Sequence, residues 1–541
     1  MIPQLFSRWR IWWSDSPPVV AAAAAPAAPV VAAPAPLVPR PSLTQLAQMT
    51  PAALPLLVRE SAAARKYIEL LGGLDWAHFP PRYEGPKRRG PVAAPDAPVV
   101  AAYLVKLDKG LSSMAKLRQE LVEQPALTWA LGFPLVPSAD FSYGFDVERS
   151  LPTTRHLSRL LRKLPNAQMQ FLLQGTVHLF QEALPPAVVF GDEICGDTKH
   201  IIAWVRENNP KAKILGGRFH KERQPKGDQD CKVGFKANAN QSHTATASPV
   251  ETRSDEPPPP PTAPPAAPPA PVDATAPPAT PTAEGLPASA ALPKPKDGQY
   301  YWGYASGIVV TKVDDWGEVV LAELTQTFDH ADESYFFPLM AQTERNLGRK
   351  PKSGAWDAAY DTFYVHEYFT LAGGFAAVPW ATRTDQKKTF SPEGLPLCGA
   401  GLAMPLKSVV QKKSNCLVPH ELGRYACPLL FPATTGAVCP IDHPNWQREG
   451  KEQGCLTALP TSVGTRARHE LNRTSEAYQR LYDQRSACER LNSQAVALGI
   501  ERPHLRNQRS ITNQTTLIYV LINLRTLQHV KEKQAQMQRN C

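Results

Sequence analysis

Three acidic residues stand where phosphoryl-transfer chemistry would need them. Asp197 closes the apolar run Ile194-Cys-Gly, Asp357 closes Gly354-Ala-Trp, and Glu489 lies in a long helical pattern near the C-terminal end. Cutting a phosphodiester without a protein nucleophile takes two divalent ions, one activating the attacking oxygen and one steadying the leaving oxygen. Hard ions such as Mg²⁺ prefer oxygen ligands and retain waters that substrate can displace. Two or three carboxylates on rigid elements are therefore the smallest set of ligands a protein can supply. Taken singly, each acid is more often a solvated surface group. Asp192, Glu193, Asp230 and Asp361 are rival acids in the same stretches, and their offsets from the run ends make them neighbours rather than ligands.

The elements that must position these acids can be read from the pattern. Residues 42–185 are mainly helical; Pro152-Thr-Thr followed by Leu157, Leu160 and Leu161 has the cap and apolar stripe of a helix start. Arg155, Arg159, Arg162 and Lys163 fall on the other sides of that helix, as a solvated or a DNA-contacting face. Beyond residue 185 comes an apolar strand ending at Asp197. Two β-branched runs, 301–313 and 317–327, join at Asp314-Asp-Trp-Gly317 as a hairpin. A helix over 338–347, a short strand ending at Asp357, a helix over 360–371 and a buried strand over 375–380 follow. One strong helix over 473–498 carries Glu489, and a last helix covers 515–536. This order matches an α/β, RNase H-like mixed sheet flanked by helices, with a helical N-terminal region and disordered Pro-rich segments.

The segment Tyr482-Asp-Gln-Arg485-Ser-Ala-Cys-Glu489 resembles the Y-x2-R-x3-E signature of bacterial insertion-sequence DDE transposases. On one helix the three side chains share a face. Asp357-Ala-Ala-Tyr360-Asp361 resembles the surroundings of that family's second acid, Gly196-Asp197-Thr198-Lys199 those of its first, and Trp302-Gly303-Tyr304 its second-strand start. The likeness covers roughly residues 100 to 541, apart from the Pro-rich insert. It implies that Asp197, Asp357 and Glu489 are catalytic and hold two Mg²⁺ ions, with Mn²⁺ as a substitute. It also implies that Tyr482 and Arg485 hold the DNA end, Arg through the planar fork that grips phosphate. The family often carries Lys seven residues after the Glu; here position 496 is Val, and Arg490, Arg506 and Arg509 are the candidates to replace that contact. The implied partners are terminal inverted repeats and target DNA, held by a homodimer. A structure-selective nuclease on the same fold, or a non-catalytic DNA-binding protein, are the alternatives.

Composition agrees without being decisive. The 541 residues carry 59 Lys and Arg against 49 Asp and Glu, a net charge of +10. Residues 464–541 hold 13 of these bases and 6 acids, so the basic excess is concentrated at that end. The expected organisation is a disordered Ala/Pro-rich tail (1–41), a helical region that binds DNA (42–185), and a catalytic domain in two parts (186–245 and 297–385). A Pro-rich insert (246–296) interrupts that domain; a Cys-containing insertion (386–470) and C-terminal helices with Glu489 (471–541) follow it. No apolar run is long enough to span a bilayer, and nine cysteines do not form a disulfide framework; a cytoplasmic compartment follows. Cys398, Cys416, Cys427, Cys439 and Cys455, with His420 and His443, contain no Cys-x2-Cys pair, so reduced cysteines are expected rather than zinc. No G-x4-G-K-[ST] stretch suggests ATP use.

Overall fold

A computed structural model of the protein describes residues 40–82, 95–214, 217–237, 298–381, 387–446 and 453–540. The Ala/Pro-rich tail, apart from Arg40 and Pro41, and the whole Pro-rich insert lie outside the described residues. The chain begins with short helices: α1 (Leu43–Gln48), α2 (Leu56–Glu60), α3 (Ala62–Leu71), α4 (Asp96–Asp108), α5 (Met114–Glu123) and α6 (Pro125–Ala130). A two-residue bridge of β1 (Val136–Pro137) with β2 (Phe145–Asp146) leads into α7 (Val147–Ser150), α8 (Thr154–Lys163) and α9 (Asn166–Ala183). Helix α8 starts as its sequence dictates, with the Thr153 hydroxyl accepting the His156 N–H at 3.2 Å. Leu157, Leu160 and Leu161 are buried on one face, and Arg155, Arg159, Arg162 and Lys163 are exposed on the others.

A mixed six-stranded sheet follows. It contains β3 (Glu193–Ile202), β4 (Lys232–Ala237), β5 (Gly298–Val313), β6 (Gly317–Thr327), β7 (Ser353–Ala355) and β8 (Ala376–Ala377). β3 is central, antiparallel to β5 on one side and parallel to β7 on the other, and β7 continues parallel to β8. The far edge of β5 is shared: β4 takes its first half and β6 its second. The β5–β6 hairpin turns at the expected residues, where Gly317 adopts φ 117°, a conformation open to glycine and costly for other residues.

Both sheet faces are covered. Ile194, Val309 and Leu321 pack with α10 (Phe336–Leu347) and α11 (Phe363–Leu371). Cys195, Ile308 and Val310 lie in the other core, with α13 (Glu476–Asp483), α14 (Ser486–Ala497) and the 33-residue α15 (Gln508–Asn540). Ahead of these, α12 (Val463–Glu470) packs on α11. A bulge at Leu321 on β6 frees the Val320 N–H and C=O, and buried Asn523 of α15 satisfies both, at 2.9 and 2.8 Å. Helix α15 also packs on α3, α4, α8 and α9. The N-terminal helices therefore share their core with the C-terminal helix, and residues from Pro41 onward form one unit.

Two expectations need correction. Asp197 lies mid-strand, because β3 continues past it to Ile202, pairing with Gly303–Gly307 of β5. The helix over 473–498 is two helices: around Gln484 and Arg485 the backbone bonds span three residues, as in Arg485 N–H to Tyr482 C=O at 3.0 Å and Cys488 N–H to Arg485 C=O at 2.9 Å. Such a turn is overwound relative to an α-helix, so Tyr482, Arg485 and Glu489 do not share one continuous helical face. The Cys-containing insertion holds a small antiparallel sheet, β9 (Leu406–Lys412), β10 (His420–Ala426) and β11 (Leu456–Pro460), in the order β11-β10-β9. Among the described residues no helix is long and apolar enough to cross a membrane.

Candidate active site

Asp197 reaches the site because β3 alternates. It shares its sheet face with Cys195 and Ile201, and that face meets α14. The preceding Gly196 lets β3 lie against Trp356; a Cβ there would sit 2.0 Å from the indole ring. Reduced Cys195 and Cys488 touch at 3.2 Å and close α14 onto the strand. One helical turn further, the Asn492 side-chain amide donates to Asp197 Oδ2 at 3.0 Å. The Asp197 side chain keeps 18% of its surface exposed, at the mouth of a recess.

Asp357 follows β7, the parallel neighbour of β3, and its Oδ1 accepts the Ala359 N–H at 3.0 Å, capping a single 3₁₀ turn over Ala358–Tyr360. A third acid, Asp332, sits in the turn after β6, with its Oδ1 accepting the Thr198 hydroxyl at 3.0 Å. Burial pushes Asp197 up to about 6; Arg485 opposes this, and Asp357 and Asp332 add to it. Asp332 is likewise pushed up to about 6 by burial and then by Asp357. Burial also raises Asp357, against the pull of Arg485. The three carboxylates thus feel one another. Tyr360, 1% exposed, adds a buried hydroxyl with no hydrogen-bond partner in their shared field.

Arg485 is the cation of this recess. Its Nη2 lies 4.0 Å from Asp197 Oδ1, its Nη1 is 3.5 Å from the Tyr482 hydroxyl, and its Nε is buried without a partner. Tyr482 stacks on Tyr478 with ring centroids 5.8 Å apart. Glu489 is exposed on α14, one turn beyond Arg485, and makes no hydrogen bond or ion pair among the described residues. Arg490 is turned away, its Nε donating to Glu318 at 2.7 Å.

The rival acids have other partners. Asp192 pairs with Arg349 and Lys352, and Glu193 with Arg480 and Gln484. Asp230 accepts the Gln508 N–H at 2.9 Å. Asp361 holds Arg468 through two 2.8 Å bonds and lies within 3.4 Å of Arg473 and His366.

The recess therefore joins Asp197 and Asp357, as the sequence suggests, and adds Asp332, Asn492 and Tyr360, which sequence reasoning missed. Asn492 carried a usable signal, being seven residues after Arg485 and thus on its side of a helix; Asp332 in a turn carried none. As a donor set, crowded carboxylates short of positive charge fit a hard dication. Among the described residues no three His, Cys, Asp or Glu side chains are already arranged around one ion. The pair Asp197 and Asp357 is the fitting element, with water to complete the shell. In the insertion, burial and the nearby Cys427 and Cys398 push the Cys455 thiol up to about 12, and these cysteines are free.

Compared with known proteins, the chain matches no family model and no curated protein.

Proposed function

We propose that the chain is a DDE-type transposase with an RNase H-like catalytic core, cutting and rejoining DNA at the ends of an insertion sequence. The observation that carries this reading is the placement of Asp197 on the central strand beside Asp357 at the end of its parallel neighbour. The strand order supports it: a hairpin on one side of the central strand, two parallel strands on the other, and helices on both faces. Tyr482 and Arg485 of the signature, with Arg485 beside Asp197, support it further.

Two Mg²⁺ ions, when bound, supply the activation of the attacking oxygen and the stabilisation of the leaving one. Asp197 and Asp357 would hold them. Asn492 orients Asp197 by fixing Oδ2 and leaving Oδ1 toward the recess. Arg485 would balance the charge of these acids and grip the phosphate of the DNA end, to which its planar fork is matched. Glu489, exposed on α14 one turn from both Arg485 and Asn492, is the third carboxylate of this reading. Water then forms a bond to phosphorus as the bond to the 3′ oxygen breaks. The freed 3′ hydroxyl attacks target DNA in the same way, releasing one target strand end. Two element ends reacting together call for a homodimer.

The proximity of Asp332 to Asp197 and Asp357 favours a second reading, a nuclease on the same fold whose third acid is Asp332. DNA made from the sequences on either side of the gene, where this reading expects inverted repeats, separates the two. With Mg²⁺ the transposase yields joined product and loses activity in Glu489→Ala. The nuclease yields cut ends alone and loses activity in Asp332→Ala.

A further inference from the structure

A second feature lies at the far end of the elements that build the acid site. A cleft of about 1060 Å³ opens between the C-terminal ends of α4 and α8, the chain after β3, and the segment joining α14 to α15. Its lining is strongly basic. Of its cations, Arg525 is neutralised by Asp108 at 2.7 Å, and Lys109 by Glu120. Lys106, Arg162, Arg502 and Arg506 line it with no acidic partner among the described residues. Asp108, the acid in the lining, is already shared among Lys66, Tyr67 and Arg525. Lys106 is half-buried, so its charge is held in a place that penalises it, as burial lowers its pKa.

Two further observations indicate what the cleft takes. Ser510, 1% exposed, lines it with a hydroxyl that has no hydrogen-bond partner. Trp204 stands 50% exposed at its edge, stacked on His504 at 5.2 Å, with the Arg506 guanidinium 4.9 Å over its ring. Unpaired cations, an orphan donor and a propped aromatic face are the parts of a site for a nucleic-acid strand: charge for phosphates, a flat ring for a base.

We propose that this cleft grips the phosphodiester backbone of DNA leading to the acid site, with an unpaired base resting on Trp204. The inference rests on the reading of the chain as a DNA-processing enzyme and locates where its substrate lies. The geometry gives a spacing. Trp204 is seven residues beyond Asp197 and two past the end of β3, about 23 Å if fully extended, and Gly499 is seven residues beyond Asn492 and two past the end of α14, about 10 Å at helical rise. At roughly 3.4 Å per nucleotide this is about three to seven nucleotides from the cut.

The test is fluorescence anisotropy with the full chain, without divalent ions, on a fluorescein-labelled duplex bearing a single-stranded 3′ extension and on the same duplex blunt. The combined Arg162→Ala, Arg502→Ala, Arg506→Ala variant should bind both probes at least about tenfold more weakly and lower the salt dependence of log affinity by roughly two to three. A charge-matched triple on the insertion sheet, Lys407→Ala, Lys412→Ala, Lys413→Ala, should stay near wild type. Trp204→Ala should weaken the extended probe about tenfold and leave the blunt one within about twofold. Circular dichroism confirms that each variant is folded. Equal losses in both triples, an unchanged cleft triple, or binding of inorganic phosphate without binding of DNA would overturn the proposal. A chain that binds DNA through these residues yet cuts none supports the cleft and counts against the acid site.

Discussion

Asn492 on α14 donates its side-chain N–H to Oδ2 of Asp197 on β3 across 3.0 Å. This bond links α14, the helix that carries Glu489, to the central strand that carries Asp197. It also leaves the other oxygen of Asp197 facing Arg485 and the recess. A partner of this kind fixes a ligand's orientation without touching the ion. Asn492→Ala should raise the Mg²⁺ concentration needed for half-maximal cleavage by roughly 10–100-fold, with DNA affinity unchanged. Titrating Mg²⁺ in cleavage and in ion-free binding assays checks both halves.

The crowded carboxylates have a consequence for stability. Asp197 is raised to about 6 in the folded chain, so the folded state binds its proton more tightly than the unfolded chain does. The resulting stabilisation is complete below the unfolded value near 4 and is lost as pH rises through about 6. Asp197→Asn removes the titration. It should therefore stabilise the ion-free protein at pH 7 by on the order of 1–3 kcal/mol, with the gain gone at pH 4. Thermal melts at the two pH values measure this, and Mg²⁺ should narrow the gap at pH 7 by stabilising the wild type.

Asp361 behaves in the opposite sense. Burial alone would raise its pKa, but hydrogen bonds from His366 and Arg468 and the Arg468 charge hold it well below the usual carboxylate range. Its contribution is present above the unfolded value near 4 and is lost as pH falls through its depressed folded value. Asp361→Asn should destabilise the chain by about 3–5 kcal/mol, since the half-buried Arg468 and Arg473 lose the carboxylate charge that both of them engage. Urea unfolding at pH 7 reads the loss.

Asn523 completes the bulged strand. Asn523→Ala strands the buried Val320 N–H and C=O and should cost at least about 2 kcal/mol. Comparing urea midpoints with those of Gln536→Ala, at an exposed position of the same helix, separates this loss from helix propensity.

Where burial alternates or caps are local, the chain could be read directly. The β5–β6 hairpin follows from β-branched runs and a Gly-ended turn, and α8 from Thr153 and its leucine stripe. The insertion sheet could not be read, because every residue of β9 is exposed and an unburied strand leaves no period-two pattern. The break at Gln484 and Arg485 has no Pro or Gly to mark it; it coincides with long-range contacts to Glu193 and Asp197 that a local pattern does not show. Asp332 was invisible for a related reason, since its place beside Asp197 and Asp357 depends on a sheet assembled from segments far apart in the chain.

The central claim is that Asp197 and Asp357 hold the ions that cut DNA. The most direct measurement is cleavage of end-repeat DNA by Asp197→Cys and Asp357→Cys in Mg²⁺ and in Mn²⁺. Thiolate is a poor ligand for Mg²⁺ and a better one for Mn²⁺. The account predicts no detectable cutting in Mg²⁺ and partial recovery in Mn²⁺ for both variants. Wild-type rates in Mg²⁺ from either variant would contradict it.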